Sequence, residues 1–280
     1  MPPVESALRI LVSVDMEGVA GIVHATETNP EGHDYARGRR LMTAEANAVV
    51  AGVLAAAPGA RVTVADSHGP FRNIHPEELD PRARLIRGKP RALGMLAGVR
   101  DGCDGVIFVG YHGRAGGPGV LAHTINDTVL DVRVDGRPFG EIGLNAALAG
   151  AYGVPVLMLG GDDVACAEFA ELVPEGVAVA TKRALGQSAA ESLHPDEACG
   201  LLRRNAELAV RVRDRVAPVP SAGPVQVEID LFRPASVELA LLIPGVSRGT
   251  GARTVTYTSP DFAEAYRIVQ LVAHLGRTTP

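Results

Sequence analysis

Short apolar runs alternate with longer segments of helical periodicity through the first half of the chain. Residues 8–14 form an apolar run of strand length, and residues 35–56 carry apolar side chains at helical spacing. Further apolar runs of strand length follow at residues 61–65 and 105–109. Because strands that alternate with helices usually pair in parallel, the pattern predicts an α/β fold with a mostly parallel sheet flanked by helices.

The alternation changes at residues 128–139, where apolar and polar positions alternate on both sides of Asp135-Gly136. An Asp-Gly pair between two such runs is a strong signal for a tight turn, so we predict an inserted β-hairpin there. Before the hairpin, the pattern also predicts a short strand at residues 84–86 and a helix at residues 90–96. After the hairpin, it predicts helices at residues 140–152, 195–215, 234–242 and 260–275, and strands at residues 154–160, 176–182, 225–231 and 254–258.

A segment rich in proline and small residues, "APVPSAGP", occupies residues 217–224. Such a segment is typical of a linker or a domain edge. We therefore expect a larger α/β domain over residues 1–216, which carries the candidate catalytic and metal-binding residues described below. A smaller C-terminal α/β region would follow over residues 217–280.

The composition argues against several kinds of partner. The net charge is −5 and aromatic residues make up only 4% of the chain, which disfavours nucleic-acid binding. No apolar run reaches transmembrane length, and the first residues lack the pattern of a signal peptide, so we expect no membrane association. The three cysteines have no C-x-x-C spacing, which disfavours a disulfide framework or a thiolate zinc site and favours the cytoplasm.

Polar side chains follow directly after the apolar runs of the predicted sheet. Asp15 and Glu17 follow the first strand, His68 follows the second, and His112 follows the strand at residues 105–109. Glu141 comes just after the hairpin, at the start of a predicted helix. Because ligands bind at the carboxyl ends of parallel strands, we expect these side chains to meet at one edge of the sheet.

This set of residue types points to a metal site. Asp15 and Glu17 are two residues apart and leave an extended chain on the same face, where their charges repel each other. A divalent cation removes the repulsion, and the imidazoles of His68 and His112 favour zinc over magnesium or calcium. With Glu141 as a third carboxylate, charge balance favours two zinc ions bridged by Asp15, an arrangement common in hydrolases. A single Asp or Glu after a strand is more often a helix cap or a solvated loop residue, so the metal site is inferred from the residues taken together.

His123 follows the Gly-rich stretch at residues 110–119. A flexible loop could place this histidine over the same edge of the sheet, where it would transfer a proton or stabilise an oxyanion. The alternative is a loop histidine in water. The loose G-x-G-x-x-A match at residues 117–122 contains a proline and gives little support to a nucleotide site.

The chain contains only two lysines, Lys89 and Lys182, among many arginines. A lysine that has not been replaced by arginine can be one whose role arginine cannot fill. Chance is the alternative explanation.

Five segments resemble the motifs of the zinc-dependent D-aminopeptidases, whose members form self-compartmentalising rings: "SVDMEG", "DSH", "GYHGRA", "PGVLAHT" and "GEIGLNAALAGAYGVPVLMLGGDD". The resemblance covers most of the chain and implies cleavage of N-terminal D-amino acids from short peptides by a homodecamer. It also implies two zinc ions per subunit and a catalytic histidine, His123. The zinc ligands carried over from the matching motifs are Asp15, Glu17, His68, His112 and Glu141.

The leading hypothesis is therefore a dinuclear zinc aminopeptidase. One alternative is a different dinuclear hydrolase, such as a phosphoesterase, for which additional arginines should converge on the metals. Arg114 is the obvious candidate in the sequence. A second alternative is a non-catalytic metal- or nucleotide-binding module.

Overall fold

The computed structural model describes residues 7–221 and 223–278. Its strands are β1 (Arg9–Val14), β2 (Arg61–Asp66), β3 (Arg84–Ile86), β4 (Gly105–Tyr111), β5 (Val129–Val134), β6 (Arg137–Pro138), β7 (Val156–Asp162), β8 (Val177–Gly186), β9 (Ala189–Ser192), β10 (Val225–Leu231), β11 (Ser247–Arg248) and β12 (Thr254–Ser259). Its helices are α1 (Ala25–Thr28), α2 (Tyr35–Ala56), α3 (Glu141–Ala151), α4 (Asp163–Leu172), α5 (Pro195–Arg211), α6 (Pro234–Ala240) and α7 (Phe262–Gly276), with 3-10 turns at Gly94–Leu96 and Arg213–Arg215.

A central sheet with the strand order β3-β2-β1-β4-β7-β8-β9 forms the main body of the protein. Neighbouring strands from β3 to β8 pair in parallel, and β9 runs antiparallel to β8. Every residue of β4 and β7 is buried, which explains why these strands are almost continuously apolar in the sequence. The mostly parallel sheet predicted from the sequence is confirmed.

Helices cover both faces of this sheet. Helix α2 packs against α5, whereas α3 packs against α4. The crossover from β1 to β2 and the crossover from β7 to β8 lead in opposite directions from the centre of the sheet. Because such crossovers are right-handed, the α2–α5 pair and the α3–α4 pair lie on opposite faces.

A second, antiparallel sheet has the strand order β11-β12-β10-β5-β6. It contains the predicted hairpin, whose turn at Asp135 and Gly136 has positive φ at both residues. Strand β5 pairs with β10, so this sheet takes strands from both sides of the expected boundary at residue 217. The division into two domains stays a prediction.

The predicted helix at residues 90–96 is wrong, because only the turn Gly94–Leu96 is helical there and it is of the 3-10 type. Gly94 has a φ of +46°, and a Cβ at this position would lie 2.7 Å from the hydroxyl of Tyr266. Glycine is needed here because a Cβ would collide with Tyr266 of α7. Its positive φ lies outside the right-handed helical region, so an α-helix cannot run through this position.

The strand order of the central sheet reverses between β1 and β4. Strand β1 leads outward to β2, and β4 leads outward to β7 on the other side. A crevice opens at the carboxyl ends of two such strands, and it is the usual ligand site of open α/β sheets. Among the described residues, no helix combines the length and the apolar character that crossing a membrane requires.

Candidate metal centre

The structure brings the five predicted ligands together at the carboxyl ends of β1, β2 and β4. Asp15 and Glu17 follow β1, His68 follows β2, and His112 follows β4 directly. Glu141 is the first residue of α3. All five side chains are buried, although each belongs to a residue type that is rarely buried without a partner.

Two glycines allow the ligand-bearing segments after β1 and β4 to touch. The Gly18 amide donates a hydrogen bond to the Gly110 carbonyl at 2.8 Å. A Cβ on Gly18 would lie 1.9 Å from the carbonyl oxygen of Tyr111, so no other residue fits there. This contact sets the distance between Asp15 and His112.

The imidazole of His68 is oriented by a backbone carbonyl. Its Nε2 donates a hydrogen bond to the carbonyl of Thr28 at 2.8 Å, so Nδ1 carries no proton in the neutral ring. Nδ1 lies 3.2 Å from Oδ1 of Asp15 and 2.9 Å from Oε2 of Glu17. A nitrogen lone pair therefore faces two carboxylates.

The imidazole of His112 repeats this arrangement on the other side of Asp15. Its Nδ1 donates to the carbonyl of Gly113 at 2.9 Å, which leaves Nε2 without a proton in the neutral ring. Nε2 lies 3.5 Å from Oδ2 of Asp15 and 3.5 Å from Oε1 of Glu141. Although it is buried, Nε2 has no hydrogen-bond partner among the described residues.

These contacts fit a divalent transition metal. Lone pairs that face carboxylates repel them unless a proton or a cation lies between, and metal-bound histidines typically donate their other N–H to a carbonyl, as His68 and His112 do. The ligand atoms of Asp15, Glu17 and His112 all lie within 4.8 Å of one another. A mixed set of imidazole nitrogens and carboxylate oxygens suits zinc.

The electrostatics of the cluster favour bound positive charge. Burial, together with the nearby Glu17, raises the pKa of Asp15 to about 7. Burial opposes protonation of His112, yet the carboxylates of Glu141, Asp15 and Glu17 outweigh it and raise the pKa of His112 to about 10. Carboxylates crowded into one buried site attract protons or cations to the same positions.

His123 lies beside the ligand cluster, which is one of the two placements that the Gly-rich loop left open. Its ring stacks on His112 with centroids 4.2 Å apart, and its Nε2 lies 3.7 Å from Oε1 of Glu141. Its Nδ1 donates to the carbonyl of Leu121 at 2.9 Å, so Nε2 is the nitrogen that can take up or release a proton. Unlike the five ligand candidates, the His123 side chain is 23% exposed, and it lines the cavity above the cluster.

The loop that carries His123 is fixed at both ends. The Val120 amide donates to Oδ2 of Asp162 at 2.7 Å, and the Ile125 amide donates to Oε1 of Glu141 at 2.6 Å. Ile125 has a φ of +67°, which is unfavourable for a β-branched residue. Glu141 thus holds a strained segment next to His123, and strain of this kind is concentrated at functional sites.

Lys182 holds the segment after Asp15 in place through hydrogen bonds to its backbone. Its buried Nζ donates hydrogen bonds to the carbonyls of Glu17 at 2.5 Å, Val19 at 3.0 Å and Ile22 at 2.6 Å. All three ammonium protons therefore have partners. Burial lowers the pKa of Lys182 to about 8.

Sequence reasoning missed the residues that orient His68. The Asn73 side-chain amide donates to the His68 carbonyl at 2.6 Å and to Oδ1 of Asp66 at 2.7 Å. Asp66 also accepts the amide of Ile74 at 2.8 Å. Asp66 stands in the "DSH" motif and could have been suspected, whereas no spacing or pattern in the sequence marks Asn73 or the Thr28 carbonyl.

Comparisons with known proteins identify the family to which this chain belongs. Residues 8–271 match the model of the peptidase M55 family, described as D-aminopeptidase. The chain is 36% identical over 272 residues to a D-aminopeptidase of Bacillus subtilis (strain 168), covering 97% of this chain and 99% of the relative. A solved structure, described as the Zn-dependent D-aminopeptidase DppA from Bacillus subtilis, a self-compartmentalizing protease, superimposes with a TM-score of 0.94 at 36% identity and the same coverage of both chains. This chain therefore belongs to the D-aminopeptidase family.

Proposed function

We propose that this protein is a zinc-dependent D-aminopeptidase that binds two zinc ions per subunit. One observation carries the proposal. Nδ1 of His68 and Nε2 of His112 each face two carboxylate oxygens, and Asp15 supplies one oxygen to each pair. The first zinc would be held by His68, Glu17 and Asp15. The second zinc would be held by His112, Glu141 and Asp15, and Asp15 would bridge the two.

When bound, the zinc pair would polarise the scissile carbonyl and lower the pKa of the attacking water. The chain itself positions the remaining groups. A cavity of about 500 Å³ lies directly over the cluster and is lined by Asp15, His68, His123 and Glu141. His123 presents Nε2 to this cavity, where it would protonate the leaving amine as the peptide bond breaks.

The phosphoesterase alternative lacks support at the ligands. Among the described residues, no lysine or arginine forms an ion pair with Asp15, Glu17 or Glu141. Arg114 does not line the cavity, and its guanidinium donates to the backbone carbonyl of Ala115. A transferring phosphoryl group needs cations close to the reacting atoms, and neutral amide substrates do not.

The assembly and the location complete the proposal. We assign the protein to a homodecameric ring, because its relative of known structure is described as self-compartmentalizing and because several large apolar side chains are exposed in the single chain. They include Leu185, Phe232 and Leu242. Free thiols at all three cysteines support a cytoplasmic location.

An assay of the full-length, zinc-loaded protein tests this function. The substrates are D-alanyl-D-alanine, L-alanyl-L-alanine and an aryl phosphate at equal concentration. We expect release of D-alanine, with little cleavage of the L-peptide and none of the phosphate. Turnover of the phosphate, or bound zinc without cleavage of any peptide, would overturn the proposal.

A further inference from the structure

The cavity over the ligand cluster has a second, cationic end. Lys89, Arg91 and Arg277 line it together with Phe71. Lys89 and Arg91 belong to the segment before the Gly94 turn, and Arg277 follows the last residue of α7. Two segments that are far apart in the sequence thus bring three cationic side chains to one wall of the cavity.

The described part of the chain leaves these three cations without an ion pair. Among the described residues, no carboxylate forms an ion pair with Lys89, Arg91 or Arg277. The carboxylates that line the cavity, Asp15 and Glu141, belong to the ligand cluster. The cavity is therefore negative at one end, before metal binds, and positive at the other.

Arg91 is already fixed in place. Its guanidinium stacks over the ring of Phe71 at 4.1 Å and donates to the carbonyl of Asp66 at 2.8 Å. Its Nε is buried and has no hydrogen-bond partner among the described residues. A planar guanidinium held by stacking is suited to binding a carboxylate.

Lys89 lies close enough to Arg91 and Arg277 to be repelled by their positive charges. Its Nζ is 5.5 Å from the centre of the Phe71 ring, on which it makes a cation–π contact. Partial burial lowers the pKa of Lys89, and repulsion from Arg277 and Arg91 lowers it further. Like charges crowded in this way are stabilised by an anion between them.

We propose that the cationic end of the cavity, formed by Lys89, Arg91 and Arg277, binds the C-terminal carboxylate of a short peptide. This inference rests on the proposed peptidase function and narrows its substrate class. The scissile amide lies at the ligand cluster, and the free carboxylate lies one or two residues away within the same cavity. Di- and tripeptides with a free carboxylate are then preferred over longer or amidated peptides.

The test compares D-alanyl-D-alanine with its C-terminal amide on the full-length, zinc-loaded protein. We expect kcat/KM to be higher for the acid than for the amide by roughly tenfold or more, because a hydrogen-bonded charge pair contributes about that much discrimination. The preference should lie mainly in KM, since the carboxylate keeps the same charge and the same partners in the bound substrate and in the transition state. It should also fall as NaCl is raised, because screening weakens exposed charge pairs.

Variants assign the preference to individual cations. The double variant Lys89→Met/Arg277→Met keeps only Arg91 of the three cations and should reduce the acid-to-amide ratio at least roughly threefold. Arg277→Lys keeps the charge and should retain more of the ratio than Arg277→Met does. Arg267→Met removes an exposed cation from α7 that does not line the cavity, and this control should retain the wild-type ratio.

The outcomes separate this inference from the proposed function. If the wild-type protein cleaves acid and amide equally well, or if the double variant keeps the wild-type ratio, the carboxylate site is wrong and the peptidase function stands. A ratio that does not respond to salt also contradicts the inference. If neither peptide is cleaved, the proposed function fails and this inference fails with it.

Discussion

The ammonium group of Lys182 donates a hydrogen bond to the backbone carbonyl of Glu17 at 2.5 Å, although the two residues are 165 positions apart in the chain. Lys182 lies on β8, and Glu17 lies in the loop after β1. The carbonyls of Val19 and Ile22 accept the other two protons of the same ammonium. The loop that carries two ligand candidates is thus fixed by one buried side chain from β8, which is separated from β1 in the sheet by β4 and β7.

Replacing Lys182 should therefore loosen this loop. Lys182→Met leaves three carbonyls without a donor, and each buried unsatisfied group costs about 1–3 kcal/mol. Lys182→Arg should not restore these three hydrogen bonds, because a planar guanidinium cannot direct three protons at carbonyls arranged around a point. We expect both variants to unfold at lower urea concentration than the wild type and to bind zinc at least roughly tenfold more weakly.

Lys89→Met is the matched control for stability, because it removes the only other lysine from an exposed position. Its free energy of unfolding should stay within about 0.5 kcal/mol of the wild type. Wild-type stability and zinc affinity in Lys182→Met would show that the loop does not depend on this contact.

Gly18→Ala tests the close contact between the loop after β1 and the last residues of β4. The new Cβ would lie 1.9 Å from the carbonyl oxygen of Tyr111, so the two segments must separate. We expect a loss of about 1–3 kcal/mol or more in the free energy of unfolding and weaker zinc binding. Gly59→Ala, whose Cβ would meet nothing within 4 Å, should change neither. Equal free energies of unfolding and equal zinc affinities of Gly18→Ala and Gly59→Ala would argue against the contact.

His123→Ala separates catalysis from metal binding. The variant should retain its zinc, because His123 is not needed for either group of ligand atoms around Asp15. Its kcat should fall by roughly 10²–10⁴, the usual contribution of a positioned proton donor. His33→Ala, which removes an exposed imidazole beside Asp34, is the control and should keep wild-type kcat. A kcat close to the wild-type value in His123→Ala would refute the proton-transfer role.

Glu45 should make stability depend on pH. Its Oε1 accepts the amide of Ala20 at 2.8 Å, and burial raises its pKa from 4.5 to about 7. Between these two values the folded protein holds a proton that the unfolded chain has released, so the free energy of unfolding falls as pH rises from 4.5 to 7. Glu45→Gln has no such proton.

Urea unfolding of metal-free wild type and Glu45→Gln at several pH values measures this effect. The variant should gain stability relative to the wild type as pH rises from about 5 to 7, by at most about 3 kcal/mol, and the difference should then level off. Other titrating groups are common to both proteins and cancel in the comparison. A difference that is constant with pH would contradict the expected behaviour of Glu45.

The ligand cluster could be predicted from the sequence because its position follows from where each strand ends. Asp15, Glu17, His68 and His112 all follow apolar strands directly, and parallel strands deliver such positions to one edge. The fold class and the family resemblance are confirmed by the structure and the comparisons. The roles of these residues as zinc ligands and of His123 in catalysis stay predictions.

Features that depend on tertiary packing could not be predicted. The hydrogen bonds from Lys182 to the loop after β1 require β8 to lie close to that loop. In the sequence, the rarity of lysine only suggested that Lys182 has a role. The cationic end of the cavity joins Lys89 to Arg277 through the packing of α7. Strands β9 and β11 and helix α1 were missed because they contain only two to four residues, too few to show a period.

Zinc content per chain tests the account most directly. We expect equilibrium dialysis and elemental analysis to give two zinc ions for the wild type, and one each for Glu17→Gln and Glu141→Gln, because each substitution removes a ligand from a different ion. Asp15→Asn should bind zinc most weakly, since it weakens both positions. A single zinc ion in the wild type, or full occupancy in Asp15→Asn, would contradict a metal pair that shares this carboxylate.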